Sequence, residues 1–140
     1  MLNMDFDNYS NADTTINWRE SMFGFAKDDE YDIFCDLCNA VSAIRNIDIK
    51  DVLSVHDMEK RTLYMENAAH SKDPTLRILN FMHDNDVDFH ALDKDGNSIL
   101  YYIDQNKEPI MKQLLLNFIS KNTLYTGEML DSSIYKNLKV

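Results

Sequence analysis

"DFHALDKDGNSILYY", residues 88–102, is the stretch whose reading decides the fold. It is acidic, holds one glycine and ends in an apolar run. A calcium loop, a metal cluster and a turn between two structural units could each use such a stretch. An EF-hand loop needs glycine at its sixth position and a bidentate Glu at its twelfth. Setting Gly96 sixth puts Ala91 first and Tyr102 twelfth, and neither supplies a carboxylate. The wider set His83, Asp84, Asp86, Asp88 and His90 has the ligand types for a metal, but solvated turn residues account for it. The reading that remains is a turn joining two helical units.

Working outward, the flanks carry helical spacing. Asp32–Arg45 places apolar residues at 33, 34, 37, 38, 41 and 44, one stripe of a helix. Asn46-Ile47 turns the chain, and Asp48 is placed to cap a short helix, IKDVLSV. The polar connection HDMEKRT leads into LYMENAAH, a second short helix. Asp73 is predicted as a helix N-cap with Pro74 at the first helical position, TLRILNFMH continuing from it. DND ends that helix. A short helix follows from about Ser98 to Asp104, and Pro109 opens the most apolar run, IMKQLLLNFI. Upstream, Thr14–Ala26 reads as an aromatic helical cover behind a polar, mobile arm at residues 1–12. The tail from Thr123 reads as a final helix.

The order is short helix, tight turn, second helix, polar finger, and again. Asp57 and Asp93 open two such units 36 residues apart, and internal repeats of this length point to a stacked architecture. Residues 86–116 resemble the ankyrin-repeat family, whose unit is about 33 residues. Asp88-Phe89-His90-Ala91 stands at that family's "DVNA" approach. Asp93-Lys94-Asp95-Gly96-Asn97-Ser98 matches its "D-x-x-G-x-T" finger. Ile99-Leu100-Tyr101 takes the place of "P-L-H", and Leu114-Leu115-Leu116 matches "L-L-L". The unit from Asp57 adds one residue in its first helix and two in its turn. Its Ala68-Ala69 fits the small pair that lets helices approach. Residues 32–54 look like a degenerate first unit. Asp86 and Lys107 sit where the family has glycine, so both are expected in the left-handed conformation. Ile103-Asp104 replaces the small pair that a following unit would stack on, and no new finger follows Leu116, so the stack is expected to end there.

The resemblance implies an all-α fold: a short ankyrin-type helical solenoid with atypical N- and C-terminal capping helices. Its expected parts are an acidic arm and cap at 1–30, repeats at 31–120 and a C-terminal cap at 121–140. Each helix pair has one apolar side, so neighbours must stack to bury it.

Composition agrees and excludes several functions. Hydrophobic residues make up 44% and charged residues 27% of 140, ordinary for a soluble domain with its own core. Only 3 Gly and 2 Pro argue against a turn-dense β fold. A net charge of −10 opposes direct nucleic-acid binding, which needs Lys and Arg to displace phosphate counterions. It suits a basic protein partner. No stretch has the length of a membrane span, and MLNMDFDNYS is no secretory signal. Cys35 and Cys38 form CDLC, too few thiols for a disulfide framework, which suggests a reducing, cytoplasmic setting. A zinc or redox role lacks a second CxxC, and packing as small apolar residues on one helix face explains the spacing. Abundant Asn, Lys, Ile and Asp suggest a microbial or viral coding sequence.

No GxSxG, P-loop or HExxH is present, so the expectation is a non-enzymatic protein without cofactor or metal. Tyr101-Tyr102 reads as core. The resemblance implies binding of another protein through finger tips and the adjoining helix face, by a monomer or weak dimer. The contact positions it maps are Leu92, Lys94, Asp95, Asn97, Gln105 and Asn106. A stand-alone inhibitor or immunity-type protein that covers a toxin, enzyme or host factor is the economical form. The alternatives are an acidic decoy that imitates nucleic acid, and a small Cys- or metal-dependent enzyme.

Overall fold

Residues able to start or stop a helix set several of the element boundaries. The computed structural model describes residues 12–122. Within them seven helices follow one another with no strand: α1 Ala12–Lys27, α2 Tyr31–Arg45, α3 Ile49–Leu53, α4 Leu63–His70, α5 Arg77–Asp84, α6 Ile99–Gln105 and α7 Pro109–Asn122. The fold is all-α. The expected mobile arm and the expected C-terminal capping helix lie largely outside the described residues.

The stop after α2 is Asn46, left-handed at φ 55°, its amide donating to the Ser42 carbonyl. Thr62 starts α4, its hydroxyl accepting from the Met65 amide at 3.2 Å. Ser98 starts α6 in the same way, its Oγ accepting from Leu100 at 3.2 Å. Each cap satisfies an amide the first helical turn leaves without a partner. Asp48 stands at the N-cap position of α3, but its side chain makes no cap bond.

Two expectations about turns are overturned. Helix α5 opens at Arg77, not at Pro74. Asp73 instead ties off a turn, accepting from Thr75 N at 3.0 Å, Thr75 Oγ1 at 2.6 Å and Arg77 N at 3.2 Å. The cause is Leu76, left-handed at φ 52° and only 8% exposed. The backbone strain, of order 1–2 kcal/mol, is offset by about 1.5–3 kcal/mol for burying the side chain. Asp86 is left-handed at φ 64° as expected, but Lys107 is not. The Glu108 amide donates to Asn106 Oδ1 at 2.9 Å, so that connection closes without a left-handed residue.

Packing sorts the helices into two rows. Helix α1 lies against α4, and α4 against α6. Behind them α2 meets α5, with Phe34 edge-on to Phe81 at 6.4 Å. Helix α5 meets α7 through His83 and Phe118, ring centroids 6.2 Å apart. Helix α2 also packs on α1, so the first pair is α1–α2 rather than a unit spanning 32–54; α3 is an added turn held against α2. The apolar stripe of α2 is narrower than its spacing implies. Phe34, Leu37, Cys38 and Val41 are buried, whereas Ile33 and Ile44 are 47% and 40% exposed.

Side-chain amides lock successive first-row helices at their ends. Asn67 Nδ2 donates to the Ala26 carbonyl at 2.7 Å and to Asp29 Oδ1 at 3.1 Å. Asn106 Nδ2 donates to the Ala68 and Ser71 carbonyls, both at 3.0 Å. Each caps orphan carbonyls at the end of the preceding helix, so neither can be removed without stranding buried acceptors.

Candidate interaction surface

The two fingers are the same turn built twice. Asp57 Oδ1 accepts from the amides of Glu59 and Arg61, both at 2.9 Å. Asp93 Oδ1 accepts from Asp95 and Asn97, again at 2.9 Å. In each turn the Asp amide donates to the residue four on, Arg61 or Asn97, and the Asp carbonyl accepts from the residue three on, Lys60 or Gly96. That third residue is left-handed in both, Lys60 at φ 62° and Gly96 at φ 82°. The fingers join where the Lys94 amide donates to the Glu59 carbonyl at 2.9 Å. The Lys94 ammonium stands 3.8 Å from the Glu59 carboxylate.

A Cβ built on Gly96 meets nothing within 4 Å, so a side chain there costs backbone strain alone. Gly96→Ala is therefore expected to cost about 1 kcal/mol in urea unfolding, and Lys60→Gly to gain roughly 0.5–1 kcal/mol. Equal effects of one sign from the two changes would mean that the turns are not equivalent.

The structure divides the sequence-predicted contact set. Leu92, Lys94 and Asp95 are exposed at the second finger, Leu92 at 52%. Asn97 is half-buried and committed to Asp93, its amide at 2.9 Å and its Nδ2 at 3.3 Å. Gln105 is exposed, but at the far end of α6, about 10 Å along the axis from the finger. Asn106 is a correction: it is 2% exposed with its amide spent on backbone carbonyls, so it is part of the framework and not a contact residue.

Sequence reasoning opened a unit at Asp57 but drew no contact residue from its finger. Met58, at its tip, is 99% exposed, the most exposed large hydrophobic residue described. Beside it runs a groove of about 670 Å³ between α1 and the finger, with Phe23 at its floor and Met58 at its lip. Glu20, Asp57, Glu59 and Glu66 line it, against Arg19, Arg61 and His56. The signal that would have found it is the 36-residue offset, which carries Lys94 and Asp95 onto Met58 and Glu59.

Electrostatics in the second finger centre on Asp93. Burial alone would raise its carboxyl. Hydrogen bonds from the Tyr102 hydroxyl, the Asn97 and Asp95 amides and the Asn97 side chain outweigh that and hold it below the usual carboxylate range. Tyr102 is raised by burial and by its bond to this anion. Tyr102 is buried and Tyr101 sits edge-on to it at 5.2 Å. The thiols are poorly suited to nucleophilic work. Cys38 is fully buried, and burial pushes it up to about 12; burial raises Cys35 as well. Trp18, the chain's one tryptophan, is buried with the Arg19 guanidinium 5.6 Å from its ring, and its indole N–H has no acceptor among the described residues.

Among the described residues no helix is long and apolar enough to cross a membrane, and no three His, Cys, Asp or Glu side chains gather as a metal set. No family model, curated protein or solved structure matches the chain.

Proposed function

We propose that this chain is a short ankyrin-type helical stack that binds another protein through its finger face, as an inhibitor or immunity-type cover over the partner's surface. The observation that carries the reading is the pair of joined, identically wired fingers whose tips hold side chains with no part in the fold. Met58 is 99% exposed and half of Leu92 is open to solvent at 52%, and a large apolar side chain held on a rigid turn is a natural anchor for a partner. The two helix rows supply the rigid support that such an anchor needs.

The test is capture from an extract of the native cell. Wild type and an Ile110→Arg control, changed at a 75% exposed position on α7, are expected to retain one stoichiometric partner. The Met58→Arg/Leu92→Arg variant is expected to lose it. Retention by the finger variant, or loss by the control, would assign binding to another face.

A further inference from the structure

We infer that the groove between α1 and the first finger takes a cationic segment of a partner protein, one large apolar side chain flanked by Lys or Arg. This deepens the finger-face reading and rests on it.

The apolar part of the recognition comes from Phe23 and Met58. Phe23 is half-buried at the floor and Met58 stands free at the lip. A volume of about 670 Å³ holds a few side chains, not a folded domain. Thioether side chains adapt to varied apolar shapes, which suits a lip residue that closes over an anchor.

The sign of the charge follows from what is already paired. Four carboxylates and two guanidiniums line the groove. The Arg61 guanidinium is committed to Asp57 at 2.8 Å, a bond made across the finger's own turn. Arg19 lies over the Trp18 ring. Glu59 has only a loose 3.8 Å partner in Lys94, its side chain still 56% exposed, and Glu20 is exposed on α1. Glu20 and Glu59 thus stand exposed at the opening, Asp57 and Arg61 neutralise each other, and Glu66, with a side chain 17% exposed, lies 3.7 Å from His70. The net charge of −10 adds a field that steers cations toward the molecule and repels anions.

Fluorescence anisotropy with three labelled probes tests this: a short amphipathic Lys/Leu peptide, its Glu/Leu counterpart and a Lys-only peptide. The Lys/Leu peptide is expected to bind. The Glu/Leu peptide is expected not to bind, and the Lys-only peptide to bind about tenfold more weakly. Glu20→Lys/Glu59→Lys and, separately, Met58→Ala are expected to weaken Lys/Leu binding about tenfold. Asp51→Lys/Glu108→Lys, the same charge change at exposed sites away from the groove, is expected to leave most of it. All four charge changes are at exposed positions, and unchanged Trp18 emission verifies the fold. Binding of the Glu/Leu peptide, or equal loss from the distant pair, overturns the proposal. If the Lys/Leu peptide does not bind while the finger variant still loses the cellular partner, the cationic assignment fails and the finger face stands. If both tests fail, both fail.

Discussion

Asp93→Ala is expected to destabilise the protein by roughly 2–4 kcal/mol, and Asp57→Ala by only about 1 kcal/mol, although the two carboxylates wire the same turn. The difference lies in what each would strand. Asp57 bonds two finger amides and the Arg61 guanidinium, groups that reach water when it is removed. Asp93 is 7% exposed and also accepts from the hydroxyl of Tyr102, itself 8% exposed. Truncation leaves that hydroxyl buried without an acceptor, and desolvated donors are where the large penalties arise. Urea unfolding of the two variants, read by Trp18 fluorescence, measures the contrast. Equal losses would show that Tyr102 contributes nothing through Asp93.

The same carboxylate gives a pH dependence of definite sign. Its folded pKa is depressed, so its contribution is complete above the unfolded value of ~3.9 and is lost as pH falls through the folded one. Asp73 and Asp88 are also lowered. Wild type is therefore expected to lose stability below about pH 4, and Asp93→Asn to lose less of it over that window. An Asp93→Asn acid profile parallel to wild type would place the acid sensitivity elsewhere.

How far the sequence could be read depended on whether a residue had one physical use or two. Gly96 had one: after Asp93 it could only supply the left-handed step of a tight turn, and that fixed the second finger. Lys60 fills the equivalent step in the first finger; lysine carries no such signal, so although Asp57 was read as opening a unit, HDMEKRT yielded no contact position. Met58 went unseen with it. Asp73-Pro74 is the converse case. The pair is a sound helix start, yet the preference of Leu76 for the core moved the start to Arg77, a tertiary effect that local spacing does not encode. Asn106 was misplaced because the resemblance maps contacts by position and not by burial. A buried amide that caps its neighbour's carbonyls looks the same in one dimension as a contact residue. Helix α4 has eight residues against seven in α6, in line with the one extra residue that the alignment places in the first helix of the unit from Asp57.

Phe118→Ala is expected to cost about 3–5 kcal/mol, the largest single loss here, and Phe118→Leu clearly less. Phe118 is 5% exposed and meets Phe89 edge-on at 5.6 Å; Phe89 leans on Tyr64 at 4.8 Å. Tyr64 belongs to α4, Phe89 to the approach to the second finger and Phe118 to α7, so this aromatic seam ties the last helix pair to the one before it. The Ala91 amide anchors the seam further by donating to the Tyr64 hydroxyl at 3.1 Å. A Phe89→Ala/Phe118→Ala cycle is expected to give a coupling of roughly 0.5–1.5 kcal/mol. Where stability is shared between neighbours, the damage stays local. Amide exchange in Phe118→Ala should therefore accelerate first in α7 and α6 and least in α2. An even acceleration across α2, α5 and α7 would mean that the helix pairs unfold as one cooperative core, and the stacked-unit account of this fold would fail with it.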